Sequence, residues 1–122
     1  MKACLAALIA TLACVPVADA RDPALPLADG DYAFQHREAE HPAMPAEQVR
    51  VRIAGDRILV FNDKPARWMP RGLVTQGHLR WNAPNKAWVI AKTEADADAK
   101  EAGHCSDGPD IVDLEKRIWW TC

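Results

Sequence analysis

From residue 31 onward the apolar residues fall in short stretches that alternate with polar ones and are cut by turn formers every few positions, so no segment offers a long helix a continuous apolar stripe. Residues 48–54 show the pattern most cleanly. Val49, Val51 and Ile53 fall on one side of an extended chain, and Arg50 and Arg52 on the other. Gly55-Asp56 follows as a two-residue connection suited to a primed turn, and residues 57–61 return as the hairpin partner. A chain patterned this way folds as sheet.

The same reading extends along the chain. Residues 31–37 put Tyr32, Phe34 and His36 on one face, and Pro42, Pro45, Pro65 and Pro70 confine 41–47 and 62–71 to loops. Residues 72–81 and 87–92 are strands about a turn cluster at 82–86, with Trp81 and Trp88 placed to meet across the pair. Such aromatic pairs contribute about 0.2–1 kcal/mol. Residues 93–102 break the alternation, and their alanines and acidic residues predict a short helix capped by Thr93 and stopped by Gly103. Residues 111–114 and 117–121 form a last hairpin about Glu115-Lys116. Seven strands without long helices leave no material for parallel crossovers, and closure removes exposed edges. The expected fold is mainly β, a small antiparallel β-barrel, lipocalin-like or similar, with one short helix; a two-sheet β-sandwich is the alternative.

Residues 1–20 read as a cleaved signal peptide: Lys2, then an apolar run with Leu5, Leu8, Ile9 and Leu12, then Ala18-Asp19-Ala20 before the cut. The run is too short for an anchor, which needs roughly 20 residues, so no transmembrane anchor and a soluble periplasmic or secreted protein are expected. Lipidation at Cys14 is the competing outcome, with Thr11-Leu12-Ala13 a poor lead-in for it. Residues 21–30, with Pro23 and Pro26, form an extended leader, and 31–122 a single domain. Removing 1–20 takes away one cation, Lys2, and one anion, Asp19, so the net charge stays at −2 and no basic field attracts nucleic acid.

Export leaves two cysteines, and oxidising surroundings make Cys105–Cys122 the one intramolecular pairing available. A loop of that size contributes roughly 3 kcal/mol. In size, export signal and C-terminal cysteine the chain resembles, in outline, small exported barrels such as lipocalin-like proteins and periplasmic lysozyme inhibitors. The resemblance implies architecture and carries no functional residue across.

Five tryptophans are the main compositional departure, and all lie beyond residue 60. Trp68, Trp81 and Trp88 either fill the core or line a barrel mouth that stacks on a ligand. Trp119 and Trp120 must point to opposite faces of a strand. With Ile118 and Trp120 inward, Trp119 faces outward beside the disulfide as a partner contact; the opposite parity packs Trp119 beneath the short helix. His36, Glu38 and Glu40 align on a strand with His41 at its edge, a weak candidate for surface zinc or copper, against a plain solvated strand end. Glu94, Asp96 and Asp98 fail the EF-hand test, since Ala99 and Cys105 fall where glycine and glutamate are required. Ser106 lies between His104 and Asp107 but lacks the strand-turn-helix elbow of a nucleophile. The sequence therefore leads to a non-catalytic binding protein without a cofactor. Its expected partner is a protein in the cell envelope or outside the cell, contacted through loops and exposed aromatics in, for example, an inhibitor-like role. A periplasmic carrier of a small ligand or metal ion is the alternative.

Overall fold

A computed structural model describes residues 22–65 and 69–122, and in it the chain closes into a seven-stranded barrel. The strands are β1 (Gly30–Glu38), β2 (Glu47–Ala54), β3 (Arg57–Asn62), β4 (Gly72–Asn82), β5 (Ala87–Ala91), β6 (Asp110–Asp113) and β7 (Ile118–Thr121). Each pairs antiparallel with the next, and β1 closes on β7 in parallel. The parallel seam follows from counting: in an up-and-down order the first and last of an odd number of strands run the same way. The barrel expected from the sequence is thus present with one non-antiparallel pair. The expected signal peptide lies outside the described residues, as does Trp68. Among the described residues no helix is long and apolar enough to cross a membrane.

Alternation fixes which residues fill the interior. Val49, Val51 and Ile53 are at most 2% exposed, and Phe34, Ile58, Val60, Leu79, Ile90, Val112 and Leu114 join them in one buried cluster with Trp88 and Trp119. The β2–β3 connection is the two-residue turn, Gly55 taking φ 60° as the first central residue of a II′ turn requires. A bulge shifts the β3–β4 register between Val60 and Phe61, leaving Val74 as the extra residue. The leader is part of the domain. Leu25 and Leu27 pack against the core, Asp22 pairs with Arg80 at 2.9 Å, and Asp29 Oδ1 accepts from Gly55 N at the turn.

The helix expected over 93–102 is a single 3₁₀ segment, Glu94–Asp98, and Gly103 lies beyond its end. Two polar side chains explain the difference. Asp96 Oδ2 accepts from the backbone N–H groups of Lys92 and Thr93, while Asn82, fully buried, donates Nδ2 to the carbonyls of Asp96 and Ala99. Those carbonyls are then held by a neighbouring turn and do not extend a helix. The segment instead lies flat on the sheet, burying Ala97 and Ala102, and β5 is covered on both faces, with Val89 and Ala91 at most 3% exposed.

Candidate functional site: the Trp120 face beside the disulfide

Trp120 pairs with Arg37 of β1 and follows the Val112↔Trp119 pair, which brings it beside Ile111, the two lining the same surface grooves. Trp120 is half-buried and forms a wall common to two surface grooves. One, of about 270 Å³, is completed by Ala39, Pro42, His104 and Ile111. The other, of about 300 Å³, runs past Lys86, Asp113 and Glu115 to Trp81. The first is apolar apart from one imidazole, and the second has charged rims of both signs.

Backbone conformation builds the first groove. Gly103, His104 and Cys105 take φ of 60°, 49° and 61°, three successive residues in the left-handed region. Each non-glycine there costs about 1–2 kcal/mol, and such conformations persist where the surroundings over-determine them. The constraints are visible: Gly103 N donates to Pro109 O, Ser106 N to Gly103 O, Ser106 Oγ accepts from Gly108 N, and Cys105 is bonded to Cys122. A Cβ on Gly103 would stand 2.7 Å from Ile111, so this turn sits directly on the groove floor. Ser106 therefore shapes a turn.

The predicted site residues are scattered across this frame. Trp81 and Trp88 do face each other, directly paired with ring centroids 5.6 Å apart and edge-to-face at 72°; Trp88 belongs to the core while Trp81 is half-buried and packs against it. Trp119 is 4% exposed and points inward, with Ile118 and Trp120 on the outside, so the outward reading of Trp119 is corrected. Its environment compels this parity: the indole lies tilted against His36, with ring centroids 4.7 Å apart, and donates Nε1–H to Asp110 Oδ2. Asp110, carried inward opposite Ile90, has its carboxyl pushed up by burial, against the opposing pull of the Trp119 N–H, Lys92 and His36.

The His36, Glu38, Glu40 and His41 set does not converge as a surface cluster. His36 is 8% exposed, its Nε2 bonded to Thr121 Oγ1 at 2.6 Å, and Nδ1 lies 3.6 Å from Glu47 Oε2. Among the described residues the one group of three candidate ligands with donor atoms mutually within 4.8 Å is Glu40 with Cys105 and Cys122, whose sulfurs form the disulfide. Sequence reasoning missed Glu47, which is brought to His36 by the β1–β2 register, and Asp110. It reached Trp120 only as the inward alternative to Trp119. No protein-family model matches the chain, and no curated protein or solved structure is similar enough to count as a relative.

Proposed function

We propose that the protein is an exported, non-catalytic binding module that recognises another protein through the outer face centred on Trp120. The observation that carries this reading is the half-buried indole shared by two grooves, beside a left-handed turn that the disulfide braces. Tryptophan is among the residue types in which the energetic hot spots of protein interfaces are enriched. The two grooves differ in character, which suits a segment that seats an apolar side chain against Ile111 and Pro42 and sets polar groups against Lys86 and Glu115. An inhibitor-like role, in which this ridge enters a partner's cleft, is consistent with the same geometry. The interior, filled by its own side chains, supports surface recognition over carriage of a ligand inside the barrel.

The test compares wild type with Trp120→Ala, using the extracytoplasmic fraction of the source cell as the partner pool. A protein retained by wild type and lost by Trp120→Ala, with unchanged near-ultraviolet circular dichroism, supports the reading. Retention by both variants, or native mass spectrometry showing a small molecule on the isolated protein instead of a protein partner, overturns it.

A further inference from the structure

We infer that the outer face of β2, β3 and β4 docks on an anionic phospholipid surface and so holds the Trp120 face away from the bilayer. The inference is independent of what Trp120 binds. It starts from how the charge is sorted, which the net value of −2 conceals. Residues 48–92 carry nine Lys and Arg against two acidic residues, Asp56 and Asp63, whereas residues 22–47 carry one against six and residues 93–122 three against eight. Such asymmetry between parts of a chain points to an anionic partner for the basic part. Because the strands close in sequence order, the division along the chain becomes a division around the barrel. β3 stands three strands from β6 one way round and three from β7 the other, so the basic side looks away from the acidic side that carries Trp120.

Strand alternation brings the cations together. The core positions of Val49, Val51, Ile58 and Val60 turn Arg50, Arg52, Arg57 and Phe61 outward, and the pairing carries Phe61 on to Leu73 of β4. The Arg50 guanidinium lies 4.3 Å from the centre of the Phe61 ring and that of Arg52 5.8 Å, which keeps both against the wall. Lys64 borders the same groove as Arg50. Arg71 reaches Asp63: the hydrogen bond from Arg50 holds that carboxyl below its ordinary range, and the charge of Arg71 adds to the effect. Against these five cations stand two carboxylates, Asp31 on Arg52 and Asp63 on Arg50, while Asp56 at the turn lies 3.3 Å from His78. Arg57 donates to the amide oxygen of Gln76, and neither it nor Lys64 joins an ion pair among the described residues. Leu73, 44% exposed, stands beside Phe61 and two residues from Arg71. Cations spread over a convex wall around an exposed aliphatic side chain suit a broad plane: the guanidinium and ammonium groups meet lipid phosphates while Leu73 enters the headgroup layer. The acidic side is repelled by the same plane, and this fixes the orientation.

Co-sedimentation of the disulfide-bonded protein at low salt tests it, with vesicles of phosphatidylcholine alone and with vesicles of equal parts phosphatidylcholine and phosphatidylglycerol. Sedimentation is expected with the anionic vesicles only, weakening as added salt screens the charges. One cation near such a surface is worth roughly fivefold in partitioning. Arg57→Glu/Arg71→Glu therefore lowers it by about tenfold or more, with an unchanged circular dichroism spectrum, and Lys64→Glu by about fivefold or more. Lys116→Glu, the same change of charge on the β6–β7 side, and Trp120→Ala bind as wild type. Absence of binding to anionic vesicles, equal binding to neutral ones, Arg57→Glu/Arg71→Glu binding as wild type does, or an equal loss in Lys116→Glu overturns the assignment. So does capture of wild type by polyglutamate or duplex DNA without binding to vesicles, which would give the face to a protein or a nucleic acid. Should Arg57→Glu/Arg71→Glu not fold, Lys64→Glu, at an exposed loop position, decides it.

Discussion

Asp110 is a carboxylate pulled two ways, and its substitutions separate the pulls. Burial raises it, so the folded protein holds that proton more tightly than the unfolded chain does. Its contribution to stability is therefore complete below the ordinary value of 3.8 and is lost as pH rises through the raised folded value. Asp31 and Asp63 behave in the opposite sense, held down by hydrogen bonds from Arg52 and Arg50, so they stabilise above the ordinary range and lose that effect as pH falls. Their contribution is common to wild type and to Asp110→Asn and cancels in the difference. Urea midpoints at pH 4 and pH 7 are expected to show Asp110→Asn gaining on wild type as pH rises, because an amide oxygen still accepts from Trp119 Nε1–H. Asp110→Ala strands that N–H and costs about 1–3 kcal/mol. The adjacent tryptophans divide along the same line between inside and outside. Trp119→Ala empties core volume and costs about 3–5 kcal/mol in urea unfolding, whereas Trp120→Ala, on the outer face, leaves the unfolding free energy within about 1 kcal/mol of wild type while removing partner capture. Their parity was not legible in the sequence. In the stretch Ile118-Trp119-Trp120 both faces are apolar and alternation carries no sign, and the deciding contacts, His36 and Asp110, come from β1 and β6.

At the scale of elements, strands were legible wherever one face met the core and the other met water, as in β2, because a one-residue slip there would expose three aliphatic side chains. The segment after β5 was not, because its composition suits a helix while Asn82, a dozen residues upstream, holds two of its carbonyls. Gly103 illustrates the same limit. Its glycine signals a positive φ, and the structure has one, yet it opens a left-handed turn on Ile111 where a helix stop was expected. Gly103→Ala meets both the conformational cost of that region and a contact at 2.7 Å, and a loss of about 1–3 kcal/mol in urea unfolding is expected. The same substitution moves Ile111 and so weakens whatever seats against it. Partner affinity should therefore fall even at concentrations of urea where the variant remains folded, which a titration in the folded baseline measures.

For the whole molecule, the place where the cylinder closes is the place where it should open. Six of the seven pairings join consecutive strands, but the seam joins β1 to β7, residues such as His36 and Trp119 that meet from nearly opposite ends of the described chain. Bringing them together carries the largest loop-closure cost, and a parallel ladder returns slightly less per residue than an antiparallel one. The seam holds four residue pairs, with Gln35 N donating to Arg117 O and Ala39 N to Thr121 O. Cys122 follows directly on β7, and its bond to Cys105 ties that strand's end to the left-handed turn at residues 103–105, which follows the segment packed over β5. Reducing the disulfide removes roughly 3 kcal/mol of restraint and leaves β7 held by the seam, its hairpin with β6 and Trp119. Amide hydrogen exchange after reduction should then show Gln35 and Ala39 losing protection first, with the β2–β3–β4 amides of Val51, Val60 and Leu79 protected until global unfolding. Equal loss of protection across all seven strands would mean that the barrel opens as one unit and that the disulfide braces the body as a whole, with no particular hold on its closing edge.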